Sequence, residues 1–219
     1  MHKSGRLSII IKVRYFGHAR GFLMLIYYDS KQDITPELIG NDICEMIDEK
    51  ELFNRHIVIL CIGSDRSTGD CLGPLIGYKL SKRLLNRSCV SVFGTLHYPV
   101  HAINLAKTVN TIYETFDNPY IIAIDASLGK RDHIGFVTLS KGGIRPGLGV
   151  KKELPEVGDL SITGIVNISG NTDNFLLQTT RLSTIMTLAD AIADGVASAF
   201  GDCFAFRPFT YQASYHRAL

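Results

Sequence analysis

The chain has 219 residues, which is enough for one sizeable hydrophobic core and short for two full domains. Its 23 basic and 21 acidic side chains leave a formal charge of +2 and form no basic block of the kind that follows nucleic acid phosphates. We therefore expect a single domain that has no nucleic acid partner.

The cysteines and the hydropathy pattern indicate the cellular compartment in which we expect the protein. Five cysteines are scattered singly, and no two have the spacing of a zinc site or a redox disulfide. This distribution is typical of free thiols in a reducing cytosol. No apolar run approaches the roughly 20 residues that cross a bilayer. Lys12 and Arg14 interrupt the apolar stretch near the N-terminus, which argues against a secretory signal. We expect a cytoplasmic protein with no membrane partner.

The first third of the chain leads from an irregular segment to a buried strand. Residues 1–23 are basic and lack a clear period, so we expect a disordered or mis-annotated leader, with the native start at Met24. Apolar residues recur at helical spacing over 35–47, which predicts a packing helix. Residues 57–61 form a continuous apolar run typical of a strand that is covered on both faces. A polar, glycine-rich turn over 63–70 follows, and then a helix from about residue 74 to residue 86.

Strands and helices continue to alternate to about residue 200. We predict strands over 90–96, 120–126, 135–140 and 161–168, helices over 102–116 and 183–200, and a short helix within 171–181. A long connection rich in Gly and Pro covers 141–159, and such loops are often functional. The alternation predicts an α/β fold: a three-layer α/β/α sandwich with a mostly parallel sheet over residues 24–200, followed by a C-terminal tail over 201–219.

Two aspartates come directly after apolar strands. Asp70 lies in the turn after the 57–61 strand, and Asp125 ends the 120–126 strand. Ligands of open α/β sheets bind at the carboxyl ends of strands, so neighbouring strands would bring both carboxylates to one crevice. Two close carboxylates share a proton, which makes one an acid and the other a base that activates water. The same pair also suits a cation held through oxygen, and Asp70 alone suits a helix cap.

Other side chains offer weaker candidates. Cys71 with His97 or His101 is a candidate thiol nucleophile, although a cysteine at a helix start is more often a small buried filler. Arg66 and Arg145 are candidates for binding a carboxylate or a phosphate. The 63–70 turn is neither a phosphate-binding P-loop nor a G-x-G-x-x-G dinucleotide motif, which disfavours ATP and NAD.

Five segments occur in an order that identifies a family resemblance. They are GSDRSTGDCLGPLIG (63–77), GTLHYPVHAINL (94–105), IIAIDASLG (121–129), RPGLGVKKELPEVGDLSITGIVN (145–167) and LQTTRLSTIMTLADAIA (177–193). Over about residues 55–200 the chain resembles the YyaC family of sporulation proteins. That family is itself similar to the germination protease that degrades small acid-soluble spore proteins and, more distantly, to hydrogenase maturation endopeptidases.

The resemblance implies a phosphorylase/hydrolase-like α/β sandwich in which Asp70 and Asp125 match the proposed catalytic pair of the germination protease. The P-G-x-G-V segment of that protease matches residues 146–150 here, which brings Gly147 into the set of substrate-binding candidates. The complete set is Arg66, Ser67, Thr68, His101, Arg145 and Gly147.

The function we expect from these observations is a sporulation-associated peptidase in the cytoplasm of the forespore or the mother cell. It would hydrolyse a spore or sporulation protein without a cofactor. Two alternatives stay open: a non-catalytic protein that binds a peptide or a small ligand, and a maturation endopeptidase with nickel or zinc at the aspartate pair. A homo-oligomer is also left open.

Overall fold

The computed structural model describes residues 10–17, 21–47, 52, 55–146, 156–170 and 173–200. In this part of the chain there are seven strands: β1 (Ile10–Gly17), β2 (Gly21–Asp29), β3 (Ile57–Cys61), β4 (Val90–Phe93), β5 (Tyr120–Gly129), β6 (Phe136–Lys141) and β7 (Leu160–Ile168). The same residues form five α-helices: α1 (Thr35–Met46), α2 (Leu72–Arg83), α3 (Leu105–Thr115), α4 (Asp173–Gln178) and α5 (Leu182–Ser198).

The seven strands form one mixed sheet in the order β1-β2-β6-β7-β5-β3-β4. The block from β7 to β4 is parallel throughout, whereas β6 is antiparallel to β7, β2 is antiparallel to β6, and β1 is antiparallel to β2. As a result β2 points the same way as the parallel block, so five of the seven strands share one direction. The predicted fold class, an α/β sandwich with a mostly parallel sheet, is confirmed.

Both faces of the parallel block are buried at its centre, over β3 and the first half of β5, because helices cover each face. On one face, Ile59 and Ile122 pack in a core that also contains residues of α1, α2 and α5. On the other face, Val58 and Ile121 pack with Leu105 of α3. Successive residues of a strand point to opposite faces, so burial on both sides requires a continuous apolar sequence, as in β3. Among the described helices, none combines the length and the apolar character that crossing a membrane requires.

The N-terminal hairpin is the largest difference from the sequence analysis. We expected an irregular leader over residues 1–23, yet β1 lies within that segment and pairs with β2 from Ile10 opposite Tyr28 to Gly17 opposite Gly21. The expectation is therefore wrong for residues 10–17. The alternation of Lys12 and Arg14 with apolar residues is the two-residue period of a strand, and the basic residues within it make the segment look irregular in sequence. A start of translation at Met24 stays a prediction, and the 201–219 tail lies outside the described residues.

Several element boundaries also differ, and one of them matters for the site. The helix predicted from residue 74 begins at Leu72, and the helix predicted from residue 102 begins at Leu105. The strand predicted over 120–126 continues to Gly129, because β5 keeps pairing with β7 through a register shift between Ser127 and Leu128. This extension adds residues of β5 to the edge of the sheet where the candidate site lies.

Helix α2 lies unusually close to the backbone of the sheet. A Cβ atom added to Gly73 would overlap the carbonyl oxygen of Ile62, and one added to Gly77 would overlap that of Gly94. The two glycines are four residues apart and therefore lie on the same face of the helix. Contact between the helix and strand backbones thus depends on the absence of a side chain at these positions.

We expect Gly73→Ala to lower the free energy of unfolding by about 1–3 kcal/mol, because the added methyl group forces α2 away from the end of β3. Urea denaturation would measure the loss. Gly170→Ala is the matched control, since the nearest atom to its added Cβ is Leu176 Cδ1 at 3.6 Å. Equal stability of the two variants would contradict the packing described here.

Candidate active site

A cleft of about 380 Å³ opens at the carboxyl ends of β3 and β5. Its polar lining contains both aspartates singled out in the sequence, together with other residues of the 63–70 turn and one histidine. These side chains are Asp70, Asp125, Ser64, Arg66, Ser67, Ser127, His101 and Gln178. Its apolar lining consists of Ile62, Ala102, Ile103, Ala126, Leu128, Pro146 and Leu177. The size is at the lower end of the range of small-molecule sites.

Asp125 reaches the cleft through the register of the sheet. Cys61 is opposite Ile124 in the parallel pairing of β3 with β5, so Asp125 is the first residue of β5 beyond the end of β3. Its Oδ1 accepts a hydrogen bond of 2.8 Å from the N–H of Ala126. Burial raises the pKa of Asp125 well above its ordinary value, the negative charge of Asp70 raises it further, and the Ala126 hydrogen bond partly opposes both effects.

Asp70 reaches the same cleft through the fold of the 63–70 turn. Gly63 has a φ of +142°, and a Cβ on it would overlap the carbonyl oxygen of Asp70, so glycine is required at the start of the turn. The N–H of Ser64 donates to the Asp70 carbonyl at 3.1 Å and closes the turn. Burial raises the pKa of Asp70, while a hydrogen bond from the Ser64 backbone and the positive charge of protonated His101 act in the opposite direction.

The two carboxyl groups therefore form an electrostatically coupled pair. Burial raises the pKa of each, and the charge of Asp70 also raises the pKa of Asp125. Such a pair does not lose both protons easily, so over a range of pH it holds one proton and one negative charge. A protonated carboxyl beside an ionised carboxylate has the two groups that acid–base activation of water requires.

His101 is fixed in the cleft by a compact turn before α3. Its backbone N–H donates to Asn104 Oδ1 at 2.8 Å, and Asn104 Nδ2 donates to the carbonyl of Pro99 at 3.0 Å. The N–H of Ile103 donates to His101 Nδ1 at 3.3 Å. Because Nδ1 accepts this hydrogen bond, the neutral ring carries its proton on Nε2. His101, which lines the cleft, therefore carries a ring N–H in either protonation state.

The opposite wall of the cleft is tied to the Asp70 turn. Asn167 Nδ2 donates to the carbonyl of Leu176 at 2.8 Å and to Thr180 Oγ1 at 3.3 Å, which anchors the end of α4 on β7. The N–H of Gly69 donates to the carbonyl of Leu177 at 2.8 Å. The position of Leu177 in the cleft lining thus depends on contacts with both β7 and the 63–70 turn.

Ser67 has a side-chain hydroxyl that forms no hydrogen bond with any described residue. Within the described part of the chain, its Oγ is buried and has no hydrogen-bond partner, although Ser67 lines the cleft. A buried hydroxyl without a partner costs free energy, so a group that binds beside it and supplies a hydrogen bond is favoured.

The structure brings only some of the predicted substrate-binding residues together. Arg66, Ser67 and His101 line the cleft with the two aspartates. Thr68 does not line it, and Arg145 extends into solvent with its Nε 3.7 Å from Glu156 Oε2. Gly147 lies outside the described residues.

The alternative thiol site is not assembled. Cys71 is absent from the cleft lining, and its Sγ donates to the carbonyl of Thr68 at 3.0 Å. Burial raises the pKa of Cys71, and the negative charge of Asp70 adds to the effect, so the unreactive thiol is favoured over the thiolate. His97 lies against the edge of the Tyr78 ring, with ring centroids 6.1 Å apart, and is not part of the cleft lining either.

No group of three or more His, Cys, Asp and Glu side chains among the described residues is arranged to hold a metal ion.

Several lining residues were missed by the sequence analysis. Ser127 could have been found by alternation, because it lies two residues after Asp125 on the same strand and so on the same face. Its Oγ is 3.0 Å from Thr163 Oγ1 of β7. Nothing in the local sequence indicated Ile103 or Leu177, which reach the cleft through tertiary contacts.

Comparison with known proteins relates the chain to a family model, a sequence relative and a solved structure. A family model described as "Protein of unknown function (DUF1256)" matches residues 25–195. The "Uncharacterized protein YyaC" of Bacillus subtilis (strain 168) is 50% identical over 143 residues, which is 65% of this chain and 69% of that protein. The crystal structure of a NiFe hydrogenase maturation protease, HycI from Thermococcus kodakarensis KOD1, is 17% identical, covers 67% of this chain and 93% of that chain, and superposes with a TM-score of 0.43.

The coupling of the two carboxyl groups is directly measurable. We expect Asp70→Asn to lower the pKa of Asp125, because the substitution removes a negative charge that raises it. Titration of the Asp125 carboxyl carbon by NMR would report the change. Asp65→Asn is the control, since Asp65 is exposed in the same turn but does not line the cleft. A pKa of Asp125 that is the same in both variants would show that the carboxyl groups do not interact.

The raised pKa of Asp125 also predicts how stability depends on pH. The folded protein binds the Asp125 proton more tightly than the unfolded chain, so this residue's contribution to stability falls as pH rises from about 4 through the raised pKa. We expect Asp125→Asn to be more stable than the unsubstituted protein at neutral pH, with the difference disappearing below about pH 4. Thermal unfolding across this range would test it, and an Asn variant that is less stable at neutral pH would contradict it.

Proposed function

This chain belongs to the DUF1256 family, and from that premise we propose that it is a peptidase in which Asp70 and Asp125 activate water for the hydrolysis of a peptide bond. The observation that supports this proposal most strongly is the position of both carboxyl groups in one cleft, where the charge of Asp70 raises the pKa of Asp125. Coupled carboxyl groups of this kind are well suited to acid–base chemistry near neutral pH.

The difference between the two environments gives each aspartate a role. Burial and the charge of Asp70 favour the protonated form of Asp125, so we assign the role of the acid to Asp125. Asp70 is the ionised partner, and because burial raises its pKa, it is a stronger base than a free carboxylate. Asp70 takes a proton from water as the water oxygen bonds to the peptide carbonyl carbon. Asp125 gives its proton to the amide nitrogen as the C–N bond breaks, and a proton then passes from Asp70 to Asp125 and restores the pair.

Three neighbouring side chains suit the binding of a peptide backbone. Ser67 Oγ is a buried hydroxyl whose hydrogen-bonding capacity is available to a peptide group. His101 brings a ring N–H to the cleft and favours the ionised form of Asp70 when it is protonated. Arg66, exposed on the 63–70 turn, suits a carboxylate of the bound chain.

The biological setting follows from the family resemblance. The five sequence segments shared with the sporulation family support a spore or sporulation protein as the substrate, and the cytoplasm of the forespore or mother cell as the place of action. The proposed chemistry uses water and two carboxyl groups, so the proposal includes no cofactor. The partner in this proposal is a protein or peptide substrate.

We expect Asp70→Asn and Asp125→Asn each to lower peptide-bond cleavage by about 100-fold or more, because each removes one half of the acid–base pair. The measurement is the appearance of new protein N-termini, by mass spectrometry, in an extract of sporulating cells incubated with purified protein. Asp65→Asn is the matched control, which we expect to retain full activity. Circular dichroism would verify that all three variants are folded.

Two results would overturn the proposal. Full cleavage by either Asn variant of the pair would exclude the aspartate mechanism. The second result is the capture of bound polypeptides by the unsubstituted protein without any new terminus, which would identify a binding protein in place of a peptidase.

A further inference from the structure

One apolar residue of the cleft lining faces water. The side chain of Ile103 is 87% exposed, although Ile103 lines the same cleft as Asp70 and Asp125. Single exposed apolar side chains are common on protein surfaces and need no explanation by themselves. This residue is distinguished by its position, because it belongs to the lining of the cleft that contains the aspartate pair.

The backbone of Ile103 is held rigidly by hydrogen bonds. Its N–H donates to His101 Nδ1 at 3.3 Å, and the turn that contains it is closed by the bond of 2.8 Å from the His101 N–H to Asn104 Oδ1. The N–H of Leu105, the first residue of α3, donates to the His101 carbonyl at 2.9 Å. The backbone at Ile103 is thus already ordered before a ligand arrives, so little backbone conformational entropy is lost when the residue is covered.

The cleft lining includes further apolar residues besides Ile103. Leu128 and Leu177 belong to it and are half-buried, whereas Ile62 is 3% exposed and offers almost no surface to a ligand. An apolar ligand group on this surface would gain free energy from the area that both partners remove from water. The cleft lining therefore has two chemically different parts. The carboxyl groups lie at the ends of β3 and β5, and Ala102 and Ile103 of the 101–104 turn form an apolar rim.

From this arrangement we propose that Ile103 is a specificity-determining residue that binds a bulky apolar side chain of an extended polypeptide substrate, next to the bond that the aspartate pair attacks. The inference rests on the proposed function and specifies its substrate class. A ligand confined to the space between the carboxyl groups would leave Ile103 in water. A polypeptide that extends beyond the rim would cover it.

The test uses the Asp125→Asn variant, which retains the cleft and does not cleave what it binds. The variant is immobilised and a phage-displayed library of random peptides is selected on it. We expect the enriched peptides to share an Ile, Leu, Val, Phe or Tyr at one position. The affinity of the consensus peptide is then measured by fluorescence anisotropy. Adding Ile103→Asp should weaken binding by about tenfold or more, whereas adding Ile103→Leu should preserve it.

Leu85→Asp provides the matched control. Leu85 is 81% exposed, follows α2 and is not part of the cleft lining, so its substitution makes the same change in charge and hydrophobicity elsewhere. We expect it to leave the affinity of the consensus peptide unchanged. A library without an apolar consensus, or equal loss of affinity in Ile103→Asp and Leu85→Asp, would overturn the inference.

This readout separates failure of the inference from failure of the proposed function. Binding is measured without cleavage. Selection of peptides with an apolar residue that depends on Ile103 therefore supports this inference even when the unsubstituted protein cleaves no consensus peptide. In that case only the peptidase proposal fails. Conversely, a protein that cleaves peptides without regard to apolar residues retains the proposed function and loses this inference. In an active protein, we expect Ile103→Asp to raise KM for the consensus peptide more than it lowers kcat.

Discussion

The parallel pairing of β3 with β5 is the constraint on which the candidate site depends. The pairing ends with Cys61 opposite Ile124, and the N–H of Ile62 donates to the Ile124 carbonyl at 2.7 Å. Because the two strands are parallel neighbours, the chain leaves both of them at the same edge of the sheet. Asp70 and Asp125 are 55 positions apart in sequence, and this register is what brings their carboxyl groups into one cleft. An antiparallel pairing would place them at opposite edges.

The same arrangement works against the stability of the fold. Burial raises the cost of ionising both carboxyl groups, and the charge of Asp70 raises that of Asp125 further, so negative charge in the cleft is disfavoured in the folded state. The rest of the sheet offsets this cost, since β3 and the first half of β5 are buried on both faces by apolar residues. Local destabilisation on a well-packed scaffold is typical of functional sites, and it is a physical reason to interpret this pair as more than a structural feature.

The sequence predicted the parts of this structure that depend on local pattern. The continuous apolar runs of β3 and β5 indicated buried strands, and the position of Asp125 at the end of such a run indicated a site. The N-terminal hairpin was missed because its alternation includes basic residues. The wall that Leu177 forms was not predictable, because Leu177 is placed there by a hydrogen bond from Gly69 that links distant segments. Arg145 was chosen for its charge alone, and the structure places it beside Glu156 and away from the cleft.

The aspartates and the other lining residues of the cleft are positioned by different parts of the fold. The aspartates are positioned by the register of the sheet and by the turn that follows β3, so a substitution that moves them must disturb the core. His101 and Ile103 instead come from the connection between β4 and α3, and Leu177 comes from α4, which is anchored on β7 by Asn167. Connections of this kind tolerate change better than buried strands do. Substitutions of Ile103 or Leu177 should therefore alter which molecules bind while the aspartate pair stays in place, whereas a substitution of His101 also acts on the ionisation of Asp70.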